Sequence, residues 1–322
     1  MVTAAARWLL RHSPSRRLGT RLALKYRRLL PIAVQWTECE VDDIHFRLRV
    51  DTAEVHGYLL RMMGIVEPIE SFVVRRLAHS GWAMLDVGAN IGYYSVLAAS
   101  ACPSGQVWSF EPTPDTFATL EENVLANNLT NVHLSQIALG DSQGTLTLDV
   151  YADKAFNSIH TRHDPQHPFF PGGPVAAVQV PTTTLDAFLS AHGLAHVDLV
   201  KLDVEGYEWS VLHGASGMLS GPNAPVLMCE IEPLWLQRFG VTFESLIRYL
   251  KGFGYEAFAL RGSGVYEETD PGFTRTDSFV FVKSASHEEV LTILRAYFSG
   301  IEGVKARAKR GLVILGEWLG HE

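Results

Sequence analysis

The stretch DVGANIGYYS, residues 86–95, closes an apolar run that begins at Trp82 and places two glycines four residues apart. A short apolar run that stops at a glycine turn reads as a buried strand passing very close to a neighbour or ligand. Gly88 and Gly92 remove side-chain bulk and accept conformations that other residues resist. The residues after Gly92 begin a helix, whose first N–H groups have no partner within the helix. Strand, glycine turn and helix in this order set a binding site at the carboxyl end of the strand.

Spacing narrows the ligand. A dinucleotide fingerprint is GxGxxG, whereas GANIGY at 88–93 lacks the second and third glycines, and no GxxxxGK[ST] phosphate loop occurs. NAD is disfavoured. The next β-rich segment, QVWSFE, ends at Glu111, 19 residues beyond Gly92. A carboxylate there can accept from both hydroxyls of a ribose, or it can cap the turn before Pro112 and Pro114. Asp86 faces the same alternatives, as a ligand contact or a strand-end acid satisfied by nearby amides.

Outward from this core, WAMLDV, QVWSFE, VHLSQIAL, HVDLVKLDV and PVLMCEI are short β-rich segments, with helical stretches at 115–128 and 208–219 in two of the gaps. Such alternation implies right-handed crossovers and a mostly parallel, doubly wound α/β sheet covered on both faces. TFESLIRYLKGFGYEAFAL adds a helix and a strand. DSFVFVK (277–283) follows a turn-rich loop and is expected to run antiparallel to the rest. Upstream, Ile44, Phe46, Leu48 and Val50 alternate with polar residues, which gives a small leading β segment over 38–66, and EPIESFVVRRLA (67–78) reads as a helix starting at Pro68. The aromatic, Pro- and His-rich segment 151–180 reads as a lid over a pocket. EEVLTILRAYF, with Val290, Leu294 and Phe298 at four-residue spacing, opens a helical extension over 284–322.

The 322 residues are 47% hydrophobic and 19% charged, as in a globular protein, and no apolar run reaches the roughly 18–20 residues of a membrane span. Cys39, Cys102 and Cys229 are odd in number and lack CxxC spacing, which fits a reducing cytoplasm and neither a disulfide framework nor a zinc site. The first 37 residues carry eight Lys or Arg and no acid, so a chain charge of −8 leaves −16 on the rest. So acidic a body is a poor match for nucleic acid. The basic segment 1–37 is expected to be a helical extension, either a solvated helix packed on the domain or a weak membrane-surface attachment.

Six stretches now occur in a recognisable order: DVGANIGYYS, FEP at 110–112, IALGDSQG at 137–144, FNSI at 156–159, VPTTTLD at 180–186 and VKLDVEGYEWSVLHGA at 200–215. Together they resemble the FkbM family of S-adenosylmethionine-dependent methyltransferases over roughly residues 60–283. The resemblance implies a class I, Rossmann-like methyltransferase domain (67–283) with sheet order 3-2-1-4-5-7-6 and strand 7 antiparallel. It implies S-adenosyl-L-methionine held by Asp86, Gly88, Ala89, Asn90, Gly92 and Glu111, with adenine near Ala138 and Asp141. Asn157 and Ser158, which match the family motif, would lie near cofactor or acceptor. Family members methylate hydroxyl oxygens, often of sugars or polyketide-type small molecules; methylation of nitrogen and a non-catalytic nucleoside-binding protein are the alternatives.

A central strand buried on both faces should be apolar, yet VDLVKLDVEG sets Lys201 and Asp203 on one face. They can form an ion pair, or Asp203, at the carboxyl end, can face the ligand. Glu205 continues that edge and could instead cap the next helix. PVLMCEIEP ends in Glu230 and Glu232. If its strand neighbours the Lys201 strand, Asp203 and Glu230 converge over one pocket. They could then share a divalent cation such as magnesium, or one could serve as general base for an alcohol. The candidate catalytic set is therefore Asp203, Glu205, Glu230 and Lys201, with His160, His163 and His167 as bases offered by the lid. Neither the acceptor nor the oligomeric state is legible at this level.

Overall fold

The computed structural model describes residues 32–160, 173–261, 264–267, 277–283 and 286–295. Strands β1 (Val34–Val41) and β2 (Ile44–Asp51) form an antiparallel hairpin, followed by helices α1 (Val55–Met63) and α2 (Pro68–Leu77). Regular alternation then begins with β3 (Ala83–Val87), α3 (Tyr93–Ala101), β4 (Gln106–Phe110), α4 (Pro114–Ala126) and β5 (Val132–Ser135). Four strands follow that leave this sheet: β6 (Ala138–Leu139), β7 (Gly144–Val150), β8 (Ser158–Ile159) and β9 (Ala176–Thr183). The chain returns through α5 (Leu185–His192), β10 (Leu199–Leu202), α6 (Glu208–His213), α7 (Ser216–Ser220) and β11 (Val226–Ile231). It ends with α8 (Pro233–Gln237), α9 (Phe243–Gly252), β12 (Glu256–Arg261), β13 (Gly264–Glu267), β14 (Asp277–Val282) and a helical stretch at 288–295.

The main sheet has eight strands in the order β5-β4-β3-β10-β11-β14-β12-β13. Strands β5, β4, β3, β10 and β11 are parallel, and β14 lies antiparallel between β11 and β12, as expected for DSFVFVK. Helices cover both faces. On β3, Met84 joins one core with Val96, Leu97, Leu120 and Val124, while Leu85 and Val87 join the other with Leu185, Phe188, Val211 and Leu250. This is the period-two alternation of a strand buried on both sides. The leading hairpin is not detached, since Cys39, Phe46 and Leu48 pack into the first core beside Leu97 and Leu199.

Several sequence expectations are corrected. Val34–Thr37 belong to β1 rather than to the basic extension, whose residues 1–31 lie outside the described residues. The leading β segment at 38–66 also contains helix α1, and VHLSQIAL divides between two sheets at β5 and β6. Residues 176–180 are not lid but part of β9, paired with β7 and β6 in a four-stranded sheet, while 161–172, with His163 and His167, lie outside the described residues. The single helix expected at 208–219 is two, α6 and α7. A Cβ on Gly214 would come within 1.9 Å of the Gly140 carbonyl oxygen, so a neighbouring loop presses on the chain where the helix breaks. Phe298 is also outside the described residues. Cys39, Cys102 and Cys229 are buried thiols, and no described helix is long and apolar enough to cross a membrane.

Candidate active site

The turn after β3 is built from left-handed conformations, at Gly88 (φ 82°), Asn90 (φ 50°) and Gly92 (φ 89°). Asn90 tolerates this because its own Oδ1 accepts from the Ile91 amide at 2.7 Å. The Gly88 and Ala89 amides donate to the Phe110 carbonyl at 3.0 and 2.9 Å, which ties the turn to β4. Glu111, at the end of that strand, is buried and fixed by two amides: Asn90 N–H donates to Oε2 at 3.1 Å and Thr113 N–H to Oε1 at 2.8 Å. Burial pushes the Glu111 carboxyl up from its ordinary value, and these amide donors oppose the shift. Asp86 accepts from Ser95 Oγ at 2.5 Å, and its burial raises it to about 6.

These residues line a cavity at the carboxyl ends of β3, β4 and β10. Asp86, Gly88, Ala89, Asn90, Glu111, Ala138, Asn157, Ser158, Lys201, Asp203 and Glu205 all contribute. Gly92 stands behind the turn, where a Cβ would meet Leu120 at 2.4 Å. Asp141 is exposed and outside the lining, while Ile137 and Leu139 take the apolar wall beside Ala138. Asn157 Oδ1 accepts from the Tyr151 amide at 2.9 Å, but its Nδ2 is buried without a partner. Ser158 Oγ accepts from Arg238 at 3.2 Å.

The charged residues share one face of the sheet. Lys201 is registered opposite Asp86 on β3, and Asp203 lies two residues farther along the same face. Lys201 Nζ donates to Asp203 Oδ2 at 3.1 Å and sits 5.1 Å from the centre of the Tyr94 ring. Burial pulls the Lys201 ammonium down, but Asp203, Glu67 and Glu230 together outweigh it and hold the group above the ordinary lysine value. The ion-pair and ligand-facing alternatives for Asp203 are compatible: it pairs with Lys201 and lines the cavity. Asp203 and Glu230 do converge, and Glu67 joins them, the three offering oxygens within 4.8 Å of one another. Burial, then Asp203, pushes both Glu205 and Glu230 well above the carboxylate range.

Glu205 does not cap α6. The helix has Tyr207 at its N-cap and no side-chain cap, while Glu208, its first residue, fixes the preceding turn, its Oε1 accepting from the Val204 and Gly206 amides at 3.3 and 3.1 Å. His160 bonds Asp149 at 2.8 Å and lines neither this cavity nor the one beside it. The adjoining cavity opens beyond β10 and β11, and His56, Asp203 and Glu205 line both. His56, Glu54, Glu67 and Tyr94 were missed from sequence. Only Glu67, set directly before Pro68 at a helix start, and Tyr94, beside the glycine turn, carry any local signal.

The methyltransferase FkbM domain model matches residues 86–257. Methyltransferase 1 of Beauveria bassiana is 32% identical over 142 residues, 41% of this chain and 57% of that protein. Hexuronic acid methyltransferase AglP of Haloferax volcanii is 29% identical over 183 residues, covering 53% and 70%. The 31-O-demethyl-FK506 methyltransferase FkbM of Streptomyces tacrolimicus is 26% identical over 218 residues, covering 61% and 78%. The chain thus spans little more than half the length of the first of these relatives. With over half of its own residues inside the matched region, from the end of β3 to the start of β12, the chain belongs to the methyltransferase FkbM domain family.

Proposed function

We propose that the chain is an S-adenosylmethionine-dependent O-methyltransferase acting on a hydroxyl of a sugar, glycosylated or polyketide-type small molecule. The observation that carries this is the cavity at the ends of β3, β4 and β10, where the glycine turn meets an amide-fixed buried carboxylate and a second cavity adjoins. The residues present suit the methyl donor. Gly88 presents backbone to the cavity without a side chain, Glu111 keeps lone pairs for ribose hydroxyls, and the unpartnered Asn157 Nδ2 awaits an acceptor. The bound donor would supply a methyl group on a positively charged sulfur.

The chain must position the acceptor hydroxyl and take its proton. An alcohol holds that proton about as tightly as water, with a pKa of roughly 15.7, so transfer to oxygen needs an acceptor group at hand. Asp203 and Glu205 line both cavities and supply carboxylates at their junction, with the His56 imidazole beside them. The names of AglP and the FK506 enzyme support a small hydroxylated substrate. Incubation with labelled methyl donor and a panel of hydroxylated acceptors tests the proposal. Asp203→Asn should lower kcat by about a hundredfold or more while S-adenosylhomocysteine still binds.

A divalent cation in place of the base is the alternative that the Glu67, Asp203 and Glu230 oxygens favour, and the Lys201 ammonium beside Asp203 opposes it. Activity that survives exhaustive chelation supports the base, and activity restored by magnesium alone supports the cation.

A further inference from the structure

Half of the residues that line the second cavity are acids. Asp203, Glu205, Glu208, Glu230 and Glu232 line it with one imidazole, His56, and no lysine or arginine is among its described lining residues. Phe156 and Trp235 give an aromatic wall, their rings 15° from parallel with centroids 6.4 Å apart. The acids are brought here by the fold: a Cβ on Gly206 would meet the Trp235 backbone at 2.7 Å, so the turn after β10 presses directly on α8.

Lys201 pairs with Asp203, and the Arg238 guanidinium, 4.9 Å from the centre of the Trp235 ring, interacts with Glu205 without lining the cavity. Glu232 spends one oxygen on the Leu234 amide at 3.0 Å. Glu208 is the decisive residue. It is 2% exposed, its Oε1 is taken by two backbone amides, and its Oε2 is buried with no partner among the described residues. A buried carboxylate oxygen without a donor is costly, so its place in a ligand cavity points to a donor carried by the ligand.

We propose that this cavity is the acceptor site and that it selects an acceptor bearing a protonated amine near the hydroxyl that receives the methyl group. The proposal rests on the assignment of the methyl donor to the first cavity. An ammonium offers three donors, enough to reach Glu208 Oε2 and a second carboxylate together, and an aromatic face attracts it. An acceptor with a carboxylate or phosphate in that place would put like charge against like where water screens poorly. A neutral polyol brings donors but leaves the charge uncompensated. An amine gripped by carboxylates stays protonated and has no lone pair with which to attack, so the hydroxyl remains the nucleophile.

The test uses the full chain saturated with S-adenosylhomocysteine and titrated calorimetrically with three matched probes: the methyl glycosides of glucosamine, glucose and glucuronic acid. The expected order is amine first, roughly tenfold or more tighter than the neutral sugar, with the uronate weakest. Glu208→Gln should remove most of the amine preference while S-adenosylhomocysteine affinity is kept; Glu232→Gln, at the rim, is the second variant should the first fail to fold. A neutral sugar or uronate that binds as tightly as the amine overturns the proposal. So does no amine binding up to tens of millimolar, or a preference untouched by the folded variants. Magnesium ions that saturate the cavity and displace the amine overturn it in favour of a metal. Failure of S-adenosylhomocysteine itself to bind would instead strike the donor assignment.

Discussion

Lys201 and Asp86 stand side by side at matched register on adjacent parallel strands, and each is only 2% exposed. Two buried charges in the middle of a sheet persist only when their neighbours are arranged around them. Here the ammonium is held by Asp203, with Glu67 and Glu230 close by, and lies against the Tyr94 ring. Lys201→Met leaves these carboxylates without their cation and should cost about 3–5 kcal/mol at neutral pH. The loss should shrink in acid, where the carboxyls are neutral, and denaturant unfolding at two pH values measures it.

Buried acids also set how stability follows pH. Asp86 is raised to about 6, and Glu54 and Glu208 to about 7, in each case chiefly by burial. Such groups bind protons more tightly folded than unfolded. Their contribution is fully present below the ordinary values of 3.8 and 4.5 and is lost as pH rises through about 6 and about 7. The melting temperature of the unliganded protein should therefore fall between about pH 5 and pH 8. Glu208→Gln should remove part of that fall, on the order of 1–3 kcal/mol.

Glu111 is expected to govern donor affinity. Its two backbone amides fix the carboxylate, and the remaining lone pairs would meet ribose hydroxyls. Hydrogen bonds to a charged group contribute about 1.5–3 kcal/mol each, so Glu111→Ala should weaken S-adenosylhomocysteine roughly tenfold to a hundredfold or more. Calorimetric titration reads this directly, with circular dichroism confirming the fold.

Gly88 combines a left-handed backbone with a backbone contact, since a Cβ there would fall 1.8 Å from the Asp203 carbonyl oxygen. Gly254 has a similar φ of +86° but nothing within 4 Å of its Cβ position. Gly254→Ala should therefore show only the conformational cost of about 1–2 kcal/mol. Gly88→Ala should exceed it clearly and abolish donor binding, because β3 and β10 would have to part. Thermal melts of the two variants give the difference.

The parallel sheet and the cavity at its carboxyl edge were legible because their signals are local: a period of two, glycines at a strand end, an acid closing the next strand. Lys201 and Asp203 stood out by breaking an apolar strand. Glu54, His56 and Glu67 did not, because they come from α1, its N-terminal flank and the start of α2, and only tertiary packing sets them over the sheet. The break at Gly214 was hidden for the same reason, since it depends on a carbonyl contributed by Gly140. Strand β9 alternates in burial only from Val178 onward, and its first half lies in the Pro-, Gly- and His-rich stretch that read as lid. Asp141 was misplaced by one turn of chain, with Ile137 and Leu139 taking the position at the cavity.

The four-stranded sheet leaves and rejoins the chain through neighbouring strands, since Ala138 and Leu139 pair in parallel with Thr182 and Thr183. Departure and return are a single doorway, and the described strands between them form a cassette apart from the main sheet. The main sheet keeps its hydrogen bonding whatever that cassette contains. A chimera that exchanges residues 140–181 for a different loop or sheet should retain the main sheet while acquiring a new roof, which makes this segment the natural place to re-engineer what the protein admits.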